Sequence, residues 1–268
     1  MSLIAALVLL ASVINNQPIS AKNPVIPSET EALELLQGIC GKGNVLEEDN
    51  QLGGGGCPSF TKVPEPEADN GFFAIEKVVY GSFTESTVKE AVVDFFGCEG
   101  HANQYGGSVL VRRSSKGWSF ISYFPGLRAN NCLKFSSPNG RSSLVCKNRY
   151  MNHTGSWEWL SAIEFGKTKN RENVLLSVGS NVDSGRPPYQ EILILDWYAQ
   201  DTNKDGFSDL VAIVREAKAK TEPRGLECEP YEPCLPSPKI HQLVFLFNGQ
   251  SFRPTPQTAK LKQQFERR

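Results

Sequence analysis

The most distinctive chemical spacing in the chain belongs to the segment 201–209, DTNKDGFSD. Oxygen-bearing side chains occupy its positions 1, 3, 5 and 9, and glycine occupies position 6. A Ca²⁺ ion takes about six to eight oxygen ligands, and a short loop that supplies several of them needs glycine at its sharp bend. The spacing therefore predicts a structural calcium site formed by side-chain oxygens and one backbone carbonyl, with the ligands Asp201, Asn203, Asp205, Phe207 (carbonyl) and Asp209.

The surroundings of this loop argue against a helix-loop-helix EF-hand. Position 12 of the loop is Ala212, where that motif places a bidentate glutamate, and both flanking segments have strand-like composition. The pattern Asp-x-Asn-x-Asp-Gly-x-x-Asp-Leu-Val between two strands instead resembles the calcium loop of FG-GAP and VCBS repeats, which build integrin α-subunit β-propellers and occur in many exported bacterial proteins. The resemblance implies extracellular binding or adhesion, with calcium stiffening the turn.

A second hairpin resembles the one that carries this loop. Residues 92–113 align without a gap with residues 194–215, and Asp94 and Asp196 each precede two aromatic residues. Repetition explains this alignment, although any two alternating hairpins resemble each other in part. The turn of the first copy, 99–107, lacks the ninth-position aspartate, so we expect it to have lost calcium.

The first turn also carries Cys98, Glu99 and His101, which could form a transition-metal or reactive-thiol site. The simpler interpretation is a buried or disulfide-bonded cysteine beside an exposed histidine.

Other candidate groups are weaker. Glu158 and Glu164 are the carboxylates that would serve an alternative function, a secreted hydrolase with acid and base groups on a β scaffold. Solvated strand positions explain them equally well. The tryptophans could stack on sugar rings, but core packing is the favoured interpretation for most of them; they are Trp118, Trp157, Trp159 and Trp197.

Composition and the N-terminus narrow the class of protein. With 28 Lys and Arg against 29 Asp and Glu, the chain offers no basic surface for nucleic acid. Residues 3–14 are an apolar run too short to span a bilayer, so residues 1–21 are predicted to be a signal peptide, with no transmembrane segment in the mature chain. Export to the periplasm or the extracellular space favours disulfides. Neighbours in sequence suggest the pairs Cys40–Cys57, Cys132–Cys146 and Cys228–Cys234, which leaves Cys98 unpaired.

One helix and many strands are predicted. Ser28 and Glu31 form a capping-box pattern before a helix that ends at Gly41. The predicted organisation is a helix and Gly/Pro-rich linker over 22–70, a β repeat domain over 71–254 and a solvated tail over 255–268. Ten segments rich in Val, Ile, Phe and Tyr are candidate strands: 72–80, 91–96, 108–113, 118–124, 143–147, 157–165, 174–178, 192–198, 210–214 and 242–247.

These observations predict a mostly β fold of antiparallel hairpin repeats. The expected arrangement is a small or partial β-propeller, because the chain is too short for seven blades, with a β-sandwich as the alternative. The predicted function is an exported, calcium-stabilised, non-catalytic module that binds a protein or glycan at the cell envelope.

Overall fold

The structure is a computed structural model, and it describes residues 24–48, 51–55, 72–96, 107–153, 155–166, 171–182, 187–221 and 233–266. Two antiparallel sheets and two helices make up the fold. In each sheet every strand pairs with the next one along the chain, so both sheets are simple meanders.

Sheet 1 has six strands in chain order. They are β1 (Val45–Glu48), β2 (Gln51–Gly55), β3 (Phe72–Gly81), β4 (Glu90–Phe96), β5 (Gly107–Ser114) and β6 (Gly117–Pro125).

Sheet 2 has eight strands and curls into a half-barrel. Its strands are β7 (Cys132–Ser136), β8 (Ser142–Asn152), β9 (Gly155–Glu164), β10 (Arg171–Ser180), β11 (Tyr189–Gln200), β12 (Asp209–Ala219), β13 (Lys239–Phe247) and β14 (Phe252–Pro254).

The predicted antiparallel, mostly β class is confirmed, and each of the ten candidate segments falls on one of the strands β3–β6 or β8–β13. A propeller-like arrangement is not confirmed. The two sheets share a hydrophobic cluster, in which Val92 and Leu110 of sheet 1 meet Leu144 and Ile163 of sheet 2.

The predicted N-terminal helix is also confirmed. Helix α1 (Glu29–Cys40) begins after Ser28, whose hydroxyl accepts a hydrogen bond from the Glu31 amide at 3.4 Å. Gly41 follows the helix with a φ of 89°, which favours glycine. Leu36 and Ile39 are buried against sheet 1, so the helix packs on the β domain.

Sheet 1 is covered on both faces. Along β4, Ala91, Val93 and Phe95 face α1, whereas Val92 faces sheet 2. Because successive side chains of a strand point to opposite faces, this double burial favours apolar residues at consecutive positions, as at Ala91, Val92 and Val93.

Two segments differ from the sequence-based expectations. Part of the predicted linker forms β1 and β2, because Val45 and Leu52 pack into the cluster beneath α1. The predicted solvated tail forms helix α2 (Pro256–Glu266), in which Phe265 is buried and Leu261 packs against the hydrophobic core enclosed by sheet 2. This cluster, called the concave core below, includes Leu160, Val178, Ile194 and Phe245. Leu261 and Phe265 lie four residues apart and therefore share one helix face.

The predicted cysteine pairing is confirmed in part. A disulfide joins Cys132 and Cys146, which stand directly opposite each other on β7 and β8, as predicted. Cys40 and Cys234 are also disulfide-bonded, and their predicted partners Cys57 and Cys228 lie outside the described residues.

A close approach between α1 and β6 yields the first prediction. A Cβ atom at Gly38 would lie 2.4 Å from the Trp118 carbonyl oxygen, closer than real contacts allow. Alanine normally favours a helix by about 0.5–1 kcal/mol, but overpacking costs about 1–3 kcal/mol. We expect Gly38→Ala to lower the free energy of unfolding by about 1–2 kcal/mol in urea denaturation.

Gly43→Ala is the matched control, because a Cβ atom there would meet nothing within 4 Å. Its expected effect is below about 0.5 kcal/mol. An equal effect of the two substitutions would contradict the close approach.

Candidate functional site

The predicted calcium loop connects β11 to β12. The hairpin closes with Gln200 paired to Asp209, and residues 201–208 form an irregular turn beyond it. Lys204 and Gly206 have φ values of 62° and 90°. At Gly206 a Cβ atom would meet nothing within 4 Å, so the backbone angle alone accounts for the glycine.

Hydrogen bonds fold the side chains at loop positions 1, 3 and 5 back onto the turn. Asp201 accepts from the Gly206 amide at 3.0 Å, Asn203 from the Asp205 amide at 3.1 Å, and Asp205 from the Phe207 amide at 2.9 Å. The Asn203 side-chain amide also donates to Asp205 at 2.8 Å. The loop therefore gathers the oxygen-bearing side chains of Asp201, Asn203 and Asp205.

Phe207 and Asp209 hold this turn against sheet 2. The Phe207 ring packs on the concave core, and Asp209 is fully buried. Asp209 Oδ1 accepts from the Phe247 amide at 2.9 Å, and Oδ2 accepts from the Thr202 amide at 3.0 Å and from the Thr202 hydroxyl. The structure thus gives Asp209 three donors of its own, apart from the other acids of the loop.

The oxygen atoms of this turn are of the chemical types that bind a hard cation. Carboxylate, amide and carbonyl oxygens are the ligands that Ca²⁺ prefers. The fold of the loop places three of these residues, Asp201, Asn203 and Asp205, close together. Among the residues that the structure describes, no three His, Cys, Asp or Glu side chains converge as a metal-binding group.

The two aligned hairpins are both present, as β4–β5 and β11–β12, but their pairing differs. Val92 pairs with Leu110, whereas the aligned Ile194 pairs with Val214, two positions beyond the residue aligned with Leu110. The two aligned aspartates also differ, because Asp94 is fully buried and Asp196 is exposed. Cys98, Glu99 and His101 lie outside the described residues.

Asp94 lies in a charged cluster that connects β4 to the turn between the two sheets. It accepts from the Ala129 amide at 3.0 Å and pairs with Arg128 at 3.3 Å, and Arg128 also contacts Glu76. Burial raises the pKa of Asp94 to about 6, while Arg128 partly opposes the shift. The carboxylate therefore serves a structural contact at the junction of the sheets.

Three buried glutamates play a similar role, and two of them, Glu90 and Glu191, were missed by the sequence reasoning. Glu90 accepts from the amides of Phe83 and Thr84 at 2.6 and 2.8 Å. Glu191 accepts from the amides of Cys234 and Leu235 at 2.7 and 3.2 Å. A signal was present for Glu90, which shares strand parity with the buried residue Val92 and therefore faces the core.

The third buried glutamate is Glu158 of β9, which the sequence offered as a catalytic group. Its carboxylate lies 2.6 Å from Lys147 and 3.0 Å from Arg149, and it accepts from the Ile194 amide at 2.8 Å. Glu164 is exposed six positions further along the same strand, about 20 Å away at the usual strand rise. Glycosidase carboxylates stand about 5–9.5 Å apart, so this pair does not form an acid/base site.

The four tryptophans divide between core and surface. Trp118 is buried beneath α1, and Trp197 packs against the concave core with the Lys147 ammonium 5.4 Å from its ring. Trp157 and Trp159 of β9 are half-buried, and Trp159 donates to Glu172 at 3.2 Å.

Comparison of the chain with protein-family models, with curated proteins and with solved structures found no match. Of the helices in the described parts of the chain, none is long and apolar enough to cross a membrane.

The raised pKa of Asp94 predicts a pH-dependent stability difference. The folded protein binds the proton of the Asp94 carboxyl group more tightly than the unfolded chain does. The contribution of this proton to the free energy of unfolding is therefore complete below about pH 4, and it is lost as the pH rises through about 6. Relative to Asp94→Asn, we expect the wild type to lose on the order of 2–3 kcal/mol of unfolding free energy between pH 4 and pH 7. Urea denaturation at intervals across this range measures the difference, and parallel curves would contradict the prediction.

The contacts of Asp209 predict a loss of stability that does not depend on calcium. Asp209→Ala leaves the amides of Phe247 and Thr202 without their acceptor. We expect a loss of about 2–4 kcal/mol in thermal or urea unfolding, equal in calcium and in chelator. A loss confined to calcium-containing buffer would show instead that Asp209 acts chiefly as a metal ligand.

Proposed function

We propose that the chain is an exported, calcium-stabilised, non-catalytic module that binds a protein or glycan at the cell envelope. The observation that supports it is the turn 201–208, in which the backbone amides hold Asp201, Asn203 and Asp205 together at the end of a hairpin.

The proposed role of calcium follows from charge. Asp201 and Asp205 share a short turn in which their like charges repel each other. The ion would neutralise this repulsion while bound by Asp201, Asn203, Asp205 and the Phe207 carbonyl, with water completing about six to eight ligands. Asp209, predicted as a further ligand, already accepts from three donors, and we expect it to support the turn from the side of the core.

Several features support the other parts of the proposal. The oxidised Cys132–Cys146 pair is typical of an exported protein, in agreement with the predicted signal peptide over 1–21. The buried carboxylates are occupied by backbone amides and basic side chains, which suits a structural role better than a hydrolytic one. Both sheets are meanders of antiparallel hairpins, which is compatible with the proposed relationship to FG-GAP and VCBS repeats. The proposed arrangement is a partial propeller or a sandwich-like form.

The calcium proposal is tested by calorimetric titration together with melting curves in calcium and in chelator. At about 100 times Kd, a single site adds about 2.7 kcal/mol, or roughly 5–10 °C in Tm for a chain of this size. We expect this gain in the wild type and its loss in Asp205→Ala, with equal melting of the two proteins in chelator.

Asp196→Ala is the matched control, because Asp196 is an exposed aspartate on the same hairpin outside the turn. It should keep the calcium response of the wild type. No measurable binding by the wild type, or an equal loss of Tm for Asp205→Ala in both buffers, would remove the metal from the proposal.

A further inference from the structure

A cleft opens in sheet 2 where β10 and β11 separate. These neighbouring strands pair at a single position, Ser180 with Glu191, whereas β9 and β10 pair along almost their whole length. The separation leaves a cleft of about 310 Å³, at the lower end of the range for small-molecule sites. Its lining includes Trp157, Ser177, Gly179, Gln190, Phe265 and Glu266.

Side-chain hydrogen bonds to the backbone of β11 account for the separation of the two strands. Beyond the single pair, the backbone of β11 at Ile194 is bonded by side chains: its amide donates to Glu158, and its carbonyl accepts from Lys147, each at 2.8 Å. Phe265 of α2 also lines the cleft and belongs to the concave core. Because the Ile194 backbone has these other partners, it does not need β10 as a neighbour.

The indole of Trp157 is held in place as one wall. A Cβ atom at Gly179 would lie 2.9 Å from Cδ1 and 3.1 Å from Nε1 of this ring, so glycine allows the indole to lie against β10. The ring of Tyr150 stands 5.9 Å away, centroid to centroid. The indole therefore occupies a fixed position beside the opening.

The polar groups of the cleft are mostly neutral. Within the described part of the chain, the Trp157 indole N–H, the Ser177 hydroxyl and the Gln190 side-chain amide have no hydrogen-bond partner. Glu266 is the single charged side chain among the described lining residues. The Glu266 carboxylate lies 3.4 Å from the ammonium of Lys262, which is not among the lining residues. A ligand rich in hydroxyl groups would satisfy the neutral donors and acceptors, and the described lining residues include no positively charged side chain.

We propose that this cleft binds a neutral sugar ring, as a free hexose or as the end of a glycan. The apolar face of the ring would lie on the Trp157 indole, and its hydroxyl groups would bond to Gln190, Ser177 and Glu266. This inference rests on the glycan-binding form of the proposed function and assigns the site for it.

The test is a titration of the purified full chain with neutral hexoses and N-acetylhexosamines, followed by saturation-transfer NMR. We expect saturable binding of at least one sugar with Kd on the order of 1 mM. Trp157→Ala should weaken it at least tenfold, and Gln190→Ala should weaken it about fivefold.

Two matched variants control for nonspecific effects. Trp159→Ala removes an indole of the same strand outside the lining, and Gln200→Ala removes an exposed amide of β11. Both should bind sugar like the wild type. Gln190→Ala keeps the test valid if Trp157→Ala proves unstable, because Gln190 is not a core residue.

Two outcomes would overturn the site: no sugar in the panel binds, or binding persists unchanged in both cleft variants. A calcium melting curve on the same samples separates this failure from that of the proposed function. A wild-type protein that responds to calcium but not to any sugar refutes the cleft assignment alone. One that binds sugar at the cleft without a calcium response supports the site and refutes the calcium role.

Discussion

In sheet 2, where β10 and β11 pair at a single position, two buried charged side chains bond the backbone of one residue, Ile194. Its amide donates to Glu158 and its carbonyl accepts from Lys147, and the two side chains pair with each other at 2.6 Å. Burial of both charges carries a desolvation cost, and this burial lowers the pKa of Lys147. The hydrogen bonds offset that cost, because an unpaired buried peptide group would be unfavourable as well.

The same constraint recurs at the other junctions of the fold. Asp94 caps the turn between the sheets, Glu90 caps the turn after β3, and Glu191 holds the segment at Cys234 and Leu235. In each case a buried strand carboxylate accepts amides from a segment that has no strand neighbour of its own, and a basic side chain balances its charge. Asp94, Glu90 and Glu191 therefore fix loop segments onto the sheets.

The two proposed sites lie at opposite ends of one hairpin. Gln190 stands near the start of β11 and the turn 201–208 follows its end, which separates them by roughly 36 Å at the usual strand rise. Calcium bound at the turn would order the tip of the hairpin, while the β10–β11 separation shapes the cleft. The two proposals thus concern distinct parts of a shared scaffold.

Local patterns in the sequence were sufficient for several parts of this structure. Alternation and β-branched composition predicted ten of the strands, the capping residues located α1, and proximity in sequence suggested the Cys132–Cys146 bridge. These features depend on residues close together in the chain, so a pattern can reveal them. Tertiary structure alone decided how the strands are divided between two sheets and where β10 and β11 separate. It also decided the burial of Phe265, which lies in a segment whose composition predicted a solvated tail. Each of these depends on contacts between residues far apart in sequence, and a local pattern does not specify which distant face a side chain will meet.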